Sequence, residues 1–188
     1  NFPTIKAMVD YIKDNKIFHK VEHMNWTEIL KEKVHVKLPK TWPTQNIIKH
    51  AANVVFRVYF KMKGDGAKNL PEGPCIIAPN HQSYFDGLFV AIFLRNKIFN
   101  ATYFYAKKKH VSNKFLDFLA KRNNVIVMDL NNELKESIQK MAEVLKQGKK
   151  IIIFPEGTRT KTGDIGDFKK TFAILRKELE VPVVPVAI

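Results

Sequence analysis

The sequence predicts an α/β fold, a mainly parallel or mixed central sheet flanked by helices. Three observations carry that prediction. From about residue 75 onward, short apolar runs alternate with longer stretches whose apolar residues recur at helical spacing, the order that produces a parallel sheet. The short runs are bounded by turn residues and read as buried strands. Two of them are followed at once by polar clusters, which is where open α/β sheets place their chemistry.

Taken in order, residues 4–15 read as an amphipathic helix, with Thr4 as N-cap and Ile5, Met8, Val9 and Ile12 on one face. Residues 16–42 are polar, lysine-rich and weakly patterned, and Pro39 and Pro43 around Trp42 suggest a linker or lead-in. The chain therefore divides into an N-terminal helical or linker segment, 1–42, and a main domain, 43–188. Residues 45–55 look helical. Phe56 to Met62 alternates apolar and basic residues, as a half-buried strand does. Gly64-Asp65-Gly66 and Pro71-Glu72-Gly73-Pro74 are turns.

Cys75 to Pro79 is a buried strand, and the apolar stretch 86–95 after it a buried helix. Ala101 to Ala106 is the next strand. Lys107-Lys108-Lys109 follows, then a helix near 113–121 carrying Phe115, Phe118 and Leu119. Val125 to Met128 is a strand. Asn131 and Asn132 cap the next helix, and Glu133 and Glu136 suit its positive end. Its apolar stripe is Leu134, Ile138, Met141, Ala142 and Leu145, and Gly148 ends it. Ile151 to Phe154 is another strand. Phe168, Phe172, Leu175 and Leu179 mark a last helix, and Val183 to Ile188 a last strand.

A chain of 188 residues holds one full core plus an appendage. Cys75, the sole cysteine, lies in a strand, which excludes an intrachain disulfide and reads as a buried structural thiol. That usage suits a reducing compartment. The net charge of +14 implies an anionic partner: nucleic acid, a membrane surface or a phosphorylated substrate. No apolar run approaches the roughly 20 residues of a spanning helix, and no signal peptide is visible. The chain starts at Asn1 and stops inside VPVVPVAI, so both ends read as cut from something longer, with the main domain truncated at its C-terminus.

The first polar cluster is Asn80-His81-Gln82-Ser83-Tyr84-Phe85-Asp86. His81 is the ordinary side chain that accepts and returns a proton near neutral pH. Asp86 can hold the imidazole by Nδ1–H and leave Nε2 for a substrate proton. The plainer alternative is that Asp86 caps the helix and His81 satisfies loop backbone groups. The second cluster is Pro155-Glu156-Gly157-Thr158-Arg159-Thr160. Gly157 allows a tight turn, Arg159 offers a rigid fork for phosphate or carboxylate, and Glu156 can orient it or bind a hydroxyl. The alternative here is a turn with a surface ion pair. His19, Glu22 and His23 match a zinc-peptidase spacing, but no apolar scaffold surrounds them. They read as a solvated charged face, and no metal is expected.

NHQSYFD followed about 70 residues later by FPEGTRT resembles the glycerolipid acyltransferases, the group containing the 1-acylglycerol-3-phosphate acyltransferases. The likeness covers roughly residues 56–188, including Leu145 to Gly148, Gly163 to Lys170 and VPVVPVAI; the two motifs in this order are specific, and either alone is weak. The resemblance implies transfer of an acyl group from acyl-CoA or acyl carrier protein to a hydroxyl of a lysophospholipid, with 1-acylglycerol-3-phosphate as the expected acceptor. It implies His81 as general base, Asp86 as its orienting partner, and Glu156, Gly157, Thr158 and Arg159 as binders of the acceptor head group. No cofactor beyond the thioester co-substrate is implied. Ser83 is expected to bond the loop rather than act as a nucleophile. The expected setting is cytoplasmic, peripheral to the inner face of an anionic membrane.

Two positions depart from the family. Leu130 stands where an Arg often follows the Asp of the second block, which leaves the acceptor head group open, and Thr171 replaces a glycine after the paired lysines. Phe2-Pro3-Thr4 with Val9 to Ile12 resembles the last helix of an acyl carrier domain, implying a piece of a larger fusion; a plain amphipathic helix is the alternative. The rival functional class is a non-catalytic basic module binding lipid or nucleic acid, with Tyr103, Phe104, Tyr105 and Lys107 to Lys109 as a stacking surface.

Overall fold

Five short strands form one sheet: β1 (Cys75–Pro79), β2 (Thr102–Lys107), β3 (Val125–Met128), β4 (Lys150–Ile152) and β5 (Val183–Val186). Their order is β3-β2-β4-β1-β5, and every pairing is parallel. The computed structural model describes residues 24–32, 38–107, 111, 113–128 and 134–188. The helix expected at 4–15, the His19–His23 pattern, Lys108, Lys109, Leu130 and the Asn131–Asn132 cap lie outside the described residues.

Parallel neighbours need crossovers, which helices supply. The helices are α1 (Trp26–Lys31), α2 (Pro43–Asn53), α3 (Asp86–Phe93), α4 (Asn96–Asn100), α5 (Lys114–Ala120), α6 (Leu134–Lys146) and α7 (Lys170–Leu179). Alternation along the strands feeds two cores. Ile76, Tyr103, Ile126, Ile151 and Ile153 pack on one side with Ile138, Met141 and Leu145 of α6 and Leu175 of α7. Cys75, Ile77 and Ile152 pack on the other with Val90, Ala91 and Leu94 around α3, and with Phe99 of α4. Burial pushes the Cys75 thiol up, against the smaller opposing effect of Lys150.

The α6 stripe is the one expected from its spacing. Two segments differ from expectation. The alternating run at 56–62 is helical, not a strand: Val54–Tyr59 continues α2 as a π-helix. Extending an existing helix needs no new nucleus, and the alternation has no sheet edge to serve there. Phe56 alone of the run's rings turns onto α3, packing on Phe85 and Phe89 at centroid distances of 5.9 and 4.9 Å. Secondly, the weakly patterned lead-in contains α1, whose Trp26 and Leu30 are buried in the first core. Residues 40–44 are pinned to the loop before β3, with Thr41 Oγ1 donating to Asn124 Oδ1 and Thr44 Oγ1 to Asn123 Oδ1.

The consequence for function lies in the strand order. β4 inserts between β2 and β1, so the loops leaving the carboxyl ends of β1 and β4 are neighbours. These are the two polar clusters.

Candidate active site

The loop after β1 turns straight into α3, and Asp86 is the first residue of that helix. Its side chain is fully buried. Oδ2 lies 2.8 Å from His81 Nδ1 and accepts the backbone N–H groups of Gln82 and Ser83 at 2.7 and 2.8 Å. Three donors on one oxygen, at a helix N-terminus, compensate a buried carboxylate. The carboxylate thus contacts the His81 ring and two loop N–H groups at once, and it does not cap α3, which has no side-chain cap hydrogen bond. With Nδ1 committed to Asp86, Nε2 is the nitrogen left for chemistry. The imidazole stacks on Phe154, centroids 4.0 Å apart, and its side chain is 21% exposed. Ser83 Oγ accepts the N–H of Phe85, a loop role.

The second loop is braced against the first. Glu156, 4% exposed, accepts the backbone N–H of His81 on Oε1 at 2.7 Å and that of Gly166 on Oε2 at 2.9 Å. Thr160 N–H donates to His81 C=O at 2.8 Å. Gly157 has φ +68°, and a Cβ there would lie 3.1 Å from Lys169 Cγ, so glycine answers both conformation and space. Gly166 is held close for the same purpose: a Cβ on it would meet Glu156 Oε2 at 3.3 Å. Arg159 is exposed, its Cζ 3.4 Å from the centroid of the Tyr84 ring.

Between the loops opens a cleft of ≈ 590 Å³. His81, Gly157, Thr158 and Arg159 line it, together with Lys107 at the end of β2, Lys161 and Phe104. Asp86 and Glu156 are buried beside it. The structure therefore gathers all six expected residues, four on the cleft wall and two as buried supports. Lys121 and Arg122, the other cations near β3, belong to the opposite end of the sheet. Lys121 pairs with Asp117, and Arg122 lies between the Trp42 and Phe118 rings. Tyr105 also lines the cleft, and burial pushes its phenol up to about 12.

Sequence reading missed Tyr84, Phe154 and Lys161. Phe154 had a signal: it is the last apolar residue before Pro155, hence at a strand mouth. Of the surface read as a base-stacking platform, Phe104, Tyr105 and Lys107 line the cleft, and Lys108 and Lys109 lie outside the described residues. Tyr103 is buried with its hydroxyl donating to Pro39 C=O, and Phe104 packs against Phe99. Among the described residues, no three His, Cys, Asp or Glu side chains cluster as metal ligands.

Comparisons with known proteins bear on the fold and the family. Over 163 residues the chain is 26% identical to a chloroplastic 1-acyl-sn-glycerol-3-phosphate acyltransferase of Brassica napus, covering 84% of this chain and 43% of that protein. It is 30% identical over 125 residues to a 1-acyl-sn-glycerol-3-phosphate acyltransferase of Pseudomonas aeruginosa, covering 65% and 47% respectively. The chain spans about half the length of these curated relatives. The crystal structure of the 1-acyl-sn-glycerophosphate acyltransferase of Thermotoga maritima shares the fold, with a TM-score of 0.57 at 20% identity over 92% of this chain and 64% of that one. The family model described as Acyltransferase matches residues 61–188, the span that carries both loops of the cleft, and the chain belongs to the acyltransferase family.

Proposed function

We propose that the protein transfers an acyl group from a thioester, acyl-CoA or acyl carrier protein, to the free hydroxyl of 1-acylglycerol-3-phosphate. The observation that carries this reading is the His81–Asp86 pair at 2.8 Å on a cleft that Lys107, Arg159 and Lys161 also line. An alcohol attacks a thioester slowly until a base takes its proton. His81 Nε2 takes that proton, the oxygen bonds to the thioester carbonyl carbon, and the C–S bond breaks. The thiolate leaves and recovers the proton from the imidazolium. Asp86 orients the ring and stabilises its charged form. Arg159 and the neighbouring lysines hold the phosphate. Glu156, with both oxygens on backbone donors, acts in this scheme by positioning His81.

The acceptor is a lipid, and the protein meets it at a membrane surface. Val54, Val55, Val58, Tyr59 and Phe60 are exposed on and just after the π-helix, with Arg57, Lys61 and Lys63 beside them. Apolar side chains rimmed by basic ones suit an anionic interface. No helix among the described residues is long and apolar enough to cross a membrane.

The test is thiol release by the full-length protein from acyl-CoA with a panel of lysophospholipids. Release that depends on lysophosphatidate supports the reading. No release with any acceptor or either donor, from protein that binds vesicles, overturns it.

A further inference from the structure

We propose that Tyr84 is a positioning residue for the anion seat: its ring fixes the plane of the Arg159 guanidinium, which then presents its in-plane donors to a phosphate. The contact is face-on, with Cζ 3.4 Å from the ring centroid, well inside the range of a cation–π pair. Tyr84 is 71% exposed, so its ring does not serve the core. Arg159 is exposed too, and an unsupported arginine on a loop samples many rotamers. Stacking occupies the faces of the guanidinium, while its five N–H groups radiate in its plane. The ring therefore orders the group without consuming the donors that a bidentate phosphate needs.

The placement gives the contact a purpose. Tyr84 sits in the loop that holds both His81 and Asp86, and both Tyr84 and Arg159 line the cleft. The backbones of the two loops are already tied at His81 by Glu156 and Thr160. The ring extends that tie out to the guanidinium. The anion seat is thereby held at a set distance from the base. This assignment rests on the proposed function for the identity of the phosphate carrier, while the stacking and the anion seat stand apart from it.

Inorganic phosphate titrated into the full-length protein, followed at the Arg159 Nε–H resonance, tests the seat directly; Arg159→Lys assigns the signal. In the native protein and in Tyr84→Phe and Tyr84→Trp, that resonance shows a ring-current shift and moves with phosphate. In Tyr84→Leu the ring-current shift is lost and the half-saturating phosphate concentration rises about 2- to 30-fold, the span of cation–π pairs from exposed to desolvated. In acyl transfer, Tyr84→Leu raises KM for the phosphomonoester acceptor by that factor and leaves KM for the thioester donor unmoved. Equal phosphate midpoints in native and Tyr84→Leu protein overturn the proposal. So does a native Arg159 signal blind to phosphate, or equal losses in the Phe, Trp and Leu variants. Absence of acyl transfer with the phosphate results as expected sinks the proposed function and leaves this assignment standing.

Discussion

Asp86 Oδ2 holds His81 Nδ1 at 2.8 Å while the same oxygen accepts the N–H groups of Gln82 and Ser83. One atom therefore folds the loop and sets the imidazole. The other oxygen, Oδ1, is buried and has no hydrogen-bond partner among the described residues.

That asymmetry separates charge from shape. His81→Ala should leave a folded protein with acyl transfer lower by about 10²–10⁴-fold, the usual worth of a positioned base. Asp86→Asn can put its amide oxygen where Oδ2 lies and its NH₂ where Oδ1 lies, so the loop keeps its acceptor and the rate falls less. Asp86→Ala strips two loop donors of their partner, at about 1 kcal/mol for each hydrogen bond lost, and should lower the melting temperature as well. Initial thiol-release rates and thermal melts check these outcomes. A folded His81→Ala protein with most of its activity rules out the mechanism.

Glu156 separates support from binding. Glu156→Gln keeps one acceptor oxygen but turns an NH₂ toward a backbone N–H of His81 or Gly166. One hydrogen bond is lost, and we expect destabilisation of about 1–3 kcal/mol with a fall in kcat. KM for the acceptor should change little, because both oxygens face backbone donors rather than the cleft wall. A variant with normal kcat and an acceptor KM raised tenfold would place Glu156 on the substrate instead.

Much of this was legible in the sequence. The strands from β1 to β5 announce themselves because runs such as Cys75 to Pro79 are apolar on both faces of a covered sheet. His81 and Asp86 were legible because histidine has one ready chemical use at such a turn. Strand order was not legible: nothing local says that β4 lies between β2 and β1, and that alone makes Glu156 a neighbour of His81. The segment 54–59 misled because alternation at Phe56 to Met62 reports which side chains are apolar, not whether they have a partner sheet. Tyr84 carried no signal, since its partner Arg159 lies far along the chain, beyond three further strands.

The exposed apolar face predicts how the protein meets lipid. Co-sedimentation should require anionic vesicles and weaken with salt, because lysines near such a surface contribute roughly 1 kcal/mol each and are screened within a Debye length. Val58→Glu with Tyr59→Glu removes two of the most exposed apolar side chains, 72% and 79% accessible. That variant should lose vesicle binding at low salt and keep its melting temperature. Undiminished binding would show that another surface carries the contact.

Tyr105 predicts the alkaline limit. Its phenol ionises near 10 when unfolded and at about 12 when folded, through burial. Between those values the unfolded chain binds fewer protons, so stability is full below pH 10 and falls as pH rises through 12. Tyr103 is raised by burial as well and acts in the same direction. Phenolate absorbance of the native protein should show a late step that Tyr105→Phe deletes, and the variant should lose less stability across this window. Deletion of a step near pH 10 instead would show that Tyr105 is open to solvent.

The family resemblance implies an arginine where Leu130 stands, which opens the question of weak discrimination between phosphomonoester and phosphodiester head groups. The cleft answers from other positions. Lys107 closes β2 and lines the same cleft as Arg159, as does Lys161, two residues beyond Arg159. On the proposed function a compact dianion would meet Arg159, Lys107 and Lys161 in the cleft, and a hydrogen bond to a charged group is worth about 1.5–3 kcal/mol, roughly 10- to 150-fold in affinity. We therefore expect preference for lysophosphatidate over a lysophospholipid with a diester head group at equal surface concentration. Leu130→Arg should change that preference by less than about threefold, since the charge it adds is already supplied. Lys107→Gln should lower it by about tenfold or more, seen in KM for lysophosphatidate rather than in KM for the donor. A native enzyme indifferent to the head group, made selective by Leu130→Arg, would show that Lys107 and Lys161 do not reach the phosphate and that the residue at 130 sets the acceptor.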